Sequence, residues 1–311
     1  MRRTAHGCVF LIAFAAASGA ATPCPKTVDL AAGAKLEDLA TQYFGKAGYS
    51  ISIALATNAR GSEGFRYIAN PDNLTGIPKV CIPANGEARE LERSWAAYDR
   101  AVTAARLPRG NDINKNLVTI TADQPVSVVA WVRKDQADRL KVSTGGWVTT
   151  AQSDMWVTVE PHLKEFCSKF AREHKADGAR LTQRLEQRLG LSPVSSKTTF
   201  VRMKLEHPGA DVIFRPCSDP VVTQANCATG PPAASPPEYP QWFLQQYYYS
   251  YGNSLISEFP WTALGYTFDW APARGRGFQR VGESEFVVRK GSPIEIQEAV
   301  ATADYCAAHI P

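Results

Sequence analysis

Apolar residues at Leu36, Leu39, Ala40 and Tyr43 recur at intervals of three and four, the period of one helical face, and Gly45 follows as a stop. Tyr49 to Asn58 predicts a second helix, its apolar content supplied by Ile51, Ile53, Leu55 and Ala56. Val28 before this pair and Val80-Cys81-Ile82 after it are strand-like, so the opening segment reads β-α-α-β. Pro83-Ala84-Asn85-Gly86 is a natural break. From Glu87 to Leu107 the chain is charged and Ala-rich, with Leu91, Trp95, Tyr98 and Val102 on one stripe. Residues 86–109 are therefore expected to form a connecting helix packed on one domain, stopped by Leu107-Pro108-Arg109-Gly110-Asn111.

Beyond residue 110 the pattern first favours strands. Leu117–Thr121 and Val126–Val132 are β-branched and flank Asp123-Gln124-Pro125; Trp147–Thr150 and Met155–Val159 follow. Helical spacing returns with Leu163, Phe166, Cys167 and Phe170, and again with Leu181, Leu185 and Leu189 before Gly190. Thr198–Leu205, Val212–Phe214 and Glu285–Val288 read as strands, Trp242–Tyr251 and Ile296–Ala308 as helices. Gly230–Pro240 holds five prolines and is expected to be an exposed, stiff loop. Strands and helices without regular βαβ alternation predict an α+β domain over 110–311. The chain has no internal repeat.

Composition adds a destination. Arg2 and Arg3, the apolar run Cys8–Ala17 and the small residues Ser18-Gly19-Ala20 form a signal-peptide pattern over residues 1–20, with cleavage after Ala20. The other reading is an uncleaved anchor, for which the apolar run is short. Cleavage leaves 291 of 311 residues, about two domains' worth, and takes the formal charge from +4 to +2. With no dense Lys/Arg block, no nucleic-acid partner is implied. No later stretch is long and apolar enough for a membrane span, so a soluble periplasmic or secreted protein is expected. Cleavage also removes Cys8 and leaves six cysteines, an even number that in an exported chain reads as disulfides. Histidine is scarce and no CxxC pair occurs, so neither zinc nor any cofactor is implied.

Thr27-Val28, Gly33, Leu36, Leu39-Ala40, Tyr43-Phe44-Gly45, Ala56-Thr57-Asn58, Asn70-Pro71, Leu74, Gly76 and Val80-Cys81-Ile82-Pro83, in that order, resemble a LysM domain, a small module that binds peptidoglycan or chitin. The resemblance covers about a fifth of the chain, residues 24–85. It implies a shallow groove for N-acetylglucosamine-containing glycans, walled by Gly33, Ala34, Lys35 and Leu36 on one side and Ile68, Ala69, Asn70 and Pro71 on the other. Leu36, Leu39 and Ile68 can equally be core of a spacer that binds no sugar. Two features depart from the family pattern: Gly33-Ala34-Lys35-Leu36 replaces its usual Gly-Asp-Thr-Leu, and the loop 59–69 is long. In such a module the first and last strands are neighbours, which would join Cys24 to Cys81. Cys217 and Cys227 close a short turn-rich loop, and Cys167 and Cys306 are then left to each other.

Candidate chemistry in the second domain is thinner. Tyr239, Trp242, Phe243, Tyr247, Tyr248, Tyr249, Tyr251, Phe259, Trp261, Tyr266, Phe268 and Trp270 form an aromatic cluster that is either core or a stacking surface. Tyr247, Tyr248, Tyr249 and Tyr251 cannot all face inwards on one helix, so Tyr247 or Tyr249 is expected at a surface. Glu283-Ser284-Glu285 with Phe286-Val287-Val288 resembles the Glu-x-Glu turn of ADP-ribosyltransferase toxins. That likeness would make Glu285 the ribose-binding carboxylate and Arg215 the phosphate-binding arginine, although the family's central Ser-Thr-Ser element is missing. Asp269 is a third candidate residue, an acid for glycan cleavage. Gly-x-Ser-x-Gly, HExxH, the P-loop and GxGxxG are all absent. Two functions remain open: a non-enzymatic glycan-binding protein, or an enzyme delivered by the module, which would gather Arg215 and Glu285 in one deep cleft.

Overall fold

The structure, a computed structural model, describes residues 23–122, 124–144, 148–176, 178–252, 258–272 and 280–307, with side chains 141–148 excepted. The expected leader 1–20 with Cys8 lies outside these residues, as do Trp147 and Ala308 at the ends of two expected elements.

The chain opens with strand β1 (Lys26–Asp29), helices α1 (Leu36–Phe44) and α2 (Ser50–Asn58), and strand β2 (Lys79–Ile82). β1 and β2 pair antiparallel, Thr27 opposite Cys81, and Cys24 is joined to Cys81. Gly45 ends α1 with φ 73°, its N–H donating to the Thr41 carbonyl, a left-handed cap that glycine adopts without steric cost. From Ser52 to Asn58 helix α2 is buried throughout, because α1, β2 and the next helix surround it.

That next helix, α3 (Asn85–Ala105), packs on two bodies rather than the expected one. Its first half meets α2 through Leu91 against Leu55 and Ala56, and Ser52 Oγ donates to the Ala88 carbonyl at 2.9 Å. Its second half presents Tyr98, Ala101 and Val102 to Trp270, and the Tyr98 hydroxyl donates to the Glu258 carbonyl at 2.8 Å. The apolar stripe is continuous, so one helix serves both sides.

The remainder is mixed helix and sheet. Strands β3 (Val126–Val132), β4 (Val148–Thr150), β5 (Met155–Val159), β6 (Thr199–Leu205), β7 (Ile213–Phe214), β10 (Phe286–Val288) and β11 (Pro293–Ala301) form one antiparallel sheet in the order β4-β11-β6-β3-β5-β10-β7. β8 (Tyr266–Phe268) and β9 (Val281–Ser284) form a separate pair. One face of the large sheet, with Val128, Ala130, Val157, Val201, Met203 and Phe286, packs against Ala137 of helix α4 (Lys134–Thr144) and against Ile120 and Val222 from coil. The other face has two covers. Val129, Trp131 and Phe200 lie beneath helices α5 (His162–His174), α6 (Gly178–Arg188) and α8 (Thr302–Ala307). Phe214 and Val287 lie beneath Tyr239 and Phe243 of helix α7 (Tyr239–Tyr251). Cys167 of α5 is bonded to Cys306 of α8, and Cys217 to Cys227.

Three expectations need correction. Leu117–Thr121 is extended but belongs to no ladder; the Leu117 and Ile120 N–H groups donate instead to the carbonyls of Ala225 and Val222. Pro240 is not loop, because α7 begins at Tyr239 and accepts proline in its first turn, where an N–H has no helical partner. The expected helix Ile296–Ala308 is mostly strand: β11 runs to Ala301 and only Thr302–Ala307 is helical. A bulge between Ile296 and Glu298 breaks the alternation that Ile294 and Ile296 begin, and the Glu, Gln and Ala that follow carry helical propensity. Pairing with β6 overrides it.

Candidate functional site

The split cover leaves a gap on the sheet, between the α5–α6 side and α7, and a pocket of about 330 Å³ occupies it. Strand register builds the floor. Val129 pairs with Thr158, Trp131 with Phe200, and Trp156 with Val287. Directly paired residues share a face, so Trp131, Trp156 and Thr158 all point into the gap. Glu285, two residues before Val287, joins them from the turn between β9 and β10, its N–H held by the Gly265 carbonyl at 2.9 Å. Tyr249 and Ser250 of α7 lie across from the floor, and Trp261, Tyr266 and Phe268 contribute a wall. Gly190, with φ 64°, lets the chain after α6 turn sharply against the Phe268 backbone.

Rings dominate the lining. Trp156 and Trp261 stand nearly perpendicular, at 85° with centroids 6.3 Å apart, and form a corner. Trp156, Tyr249 and Phe259 keep 38%, 46% and 44% of their surface exposed and mark the mouth. Against this apolar background three polar atoms are buried without a hydrogen-bond partner: Thr158 Oγ1, Trp261 Nε1 and Glu285 Oε2. Burial pushes the Glu285 carboxyl up to about 8. Lys197, the sole cationic residue among the described residues of the lining, is pulled down to about 8 by burial and secondarily by the charge of Arg133.

The three acid–base candidates do not converge. Arg215 is fully buried on the opposite face of the sheet, its guanidinium 4.7 Å from the Phe286 ring centroid. Its Nη2 donates to the carbonyls of Val118 (2.6 Å), Gln224 (3.0 Å) and Val222 (3.4 Å), and so ties two coil segments together. Burial lowers its pKa to about 10. Asp269 is held by Arg184 through two hydrogen bonds, of 3.1 and 2.6 Å, and by the Ala271 N–H at 3.0 Å. Glu283 is held by Arg188 Nε at 2.7 Å. Arg215 and Asp269 are thus structural, and of the three only Glu285 reaches the pocket.

In the N-terminal unit Leu36 and Ile68 are each 1% exposed and share one core, so neither side chain can wall a groove. What faces outward is the turn Gly33-Ala34-Lys35 and the segment Ala69-Asn70-Pro71. Asn58 fixes the second segment: its Oδ1 accepts from the Ile68 N–H at 2.7 Å and its Nδ2 donates to the Ile68 carbonyl at 3.0 Å.

The aromatic run 239–270 proves to be partly core and partly pocket. Tyr239, Phe243 and Trp270 are buried, whereas Tyr248 and Tyr249 are exposed. Tyr247, the other residue expected at a surface, is half-buried and donates to the Arg106 carbonyl at 2.8 Å. Trp131, Trp156, Thr158 and Lys197 were missed. Trp156 and Thr158 carry one signal, the alternation in Met155–Val159 that sets them on the face opposite Val157.

No protein-family model matches the chain, and comparisons with curated proteins and with solved structures give no match.

Proposed function

We propose that this is an exported, non-enzymatic protein of the cell envelope or extracellular space. Its N-terminal unit, residues 24–85, is LysM-like and binds peptidoglycan or a related N-acetylglucosamine-containing glycan. The observation that carries the reading is the closure of two helices by an antiparallel strand pair, with the outward segments 33–35 and 69–71 anchored in one core through Leu36 and Ile68. Three disulfides fit an oxidising compartment, and among the described residues no helix is long and apolar enough to cross a membrane. The separation of Arg215, Asp269 and Glu285 removes the support for an ADP-ribosyltransferase-like or two-acid glycosidase reading.

The full-length protein is expected to sediment with insoluble peptidoglycan or chitin and to be released by soluble chito-oligosaccharides. Ala69→Trp, which places an indole on the outward segment, is expected to cut the retained fraction severalfold. Retention that is absent, or unchanged by both the competitor and the substitution, would remove the glycan role.

A further inference from the structure

We propose that the pocket on the large sheet is a second, separate ligand site, which takes a small organic cation with its ammonium or quaternary-ammonium head among the rings and against the Glu285 carboxylate. The ring geometry comes first. Trp156 and Trp261 meet at 85°, and Tyr249 and Phe259 stand at the mouth, so a compact cation entering the corner faces several π-surfaces. The ring quadrupole attracts a cation within about 6 Å of the centroid, most strongly where water is excluded.

The charge balance comes second. Glu285 is the sole carboxylate among the described residues of the lining, and its Oε2 has no hydrogen-bond partner among them. Among the described residues, the charged and titratable groups around it do not supply a counter-ion. Lys197, on the approach to β6, is lowered to about 8 by burial and so still carries most of its charge at neutral pH, but it forms no ion pair with Glu285. Arg184 and Arg188 of α6 are engaged by Asp269 and Glu283. Arg215 is across the sheet behind Phe286. Tyr249 and Tyr251 of α7 and Tyr266 of β8 are phenols, and those of Tyr251 and Tyr266 donate to the carbonyls of Trp261 and Asp112. A carboxyl so placed stays protonated in the empty protein, and burial holds it so up to about pH 8. A bound ammonium provides the missing charge, and the carboxyl then releases its proton. The volume, about 330 Å³, suits a head group and a short tail.

The test is calorimetric titration of the full-length protein with choline and tetramethylammonium, and with the uncharged carbon isostere of choline. Below pH 8 the free carboxyl is protonated, so cation affinity is expected to fall about tenfold for each pH unit lowered. Repeating the titration at neutral pH in buffers of different ionisation enthalpy is expected to reveal release of about one proton per cation bound. Glu285→Gln is expected to weaken the cations at least tenfold and to abolish proton release, while peptidoglycan retention stays as in the native protein. If the isostere binds as tightly as choline, if neither cation binds at millimolar concentration, or if binding releases no proton, the assignment is wrong. The isostere and proton-release comparisons use the native protein, so they decide the matter even if the variant misfolds. Chito-oligosaccharide binding that disappears in Glu285→Gln would also overturn it, by making the pocket a sugar site.

Discussion

Glu285 links the pocket to the stability of the molecule. Its carboxyl has an ordinary value of 4.5, and burial raises it to about 8 in the folded chain. Between those limits the unfolded chain is ionised while the folded chain keeps the proton, so unfolding releases a proton and stability falls as pH rises. The favourable contribution is complete below about 4.5 and is lost by about 8. Glu186, raised to about 7 by burial, adds a slope of the same sign. Glutamine at 285 cannot ionise and is free of this dependence. The melting temperature of Glu285→Gln relative to the native protein is therefore expected to climb steadily across that interval and to level off above it. A difference that stays constant with pH would mean that Glu285 is ionised in the native fold. Gln also leaves a polar amide in an apolar site, which lowers both ends of the comparison equally and does not alter the trend.

Between elements, the ion pairs that hold α6 to the β8–β9 ribbon set the far wall of the pocket. Arg184 grips Asp269 with two hydrogen bonds, and Arg188 reaches Glu283 and the Val281 carbonyl. Asp269 is 2% exposed, so replacing it with asparagine leaves Arg184 largely buried without its counter-charge. Loss of one partner of such a pair costs about 3 kcal/mol or somewhat more. Urea denaturation of Asp269→Asn is expected to show a loss of that order, and a loss below about 1 kcal/mol would place the pair among surface contacts. This network also shows what a sequence can convey. The helices with clean three–four spacing, α1, α3, α5 and α6, are readable because each has one buried stripe. β11 is not, because its bulge hides the period and its residues favour helix. The site fails for a related reason. β7 and β10 pair with Phe214 opposite Val287, a register that sets Arg215 against Phe286 and one residue off Glu285. In a strand a shift of one is a change of face. Both residues look strand-borne in the sequence, but only the pairing of segments seventy residues apart assigns them to opposite sides.

Across the whole molecule, three covalent closures and one shared helix join pieces that are distant in the chain. α3 carries packing from α2 to Trp270, and the disulfides span separations of 57, 139 and 10 residues. These separations rank the disulfides by their effect on the denatured chain. In the loop-entropy account, a closure of about 139 residues stabilises by about 5 kcal/mol and one of about 10 residues by about 2.7 kcal/mol. The comparison is well controlled within this fold, because Cys167, Cys306, Cys217 and Cys227 are all at most 2% exposed. Alanine at either pair therefore leaves a similar small void, and the native-state penalties nearly cancel. Replacing Cys167 and Cys306 together is expected to destabilise the protein by about 2 kcal/mol more than replacing Cys217 and Cys227 together, as read from urea midpoints with m-values fitted separately. The opposite order has a specific local meaning. The 217–227 loop carries the carbonyls of Val222 and Gln224 that hold Arg215, and Gly265 packs against both Arg215 and the Cys227 sulfur. A larger loss from the short closure would show that this buried arginine depends on the bond for its partners, so that the contribution lies in the native state rather than in the entropy of the unfolded chain.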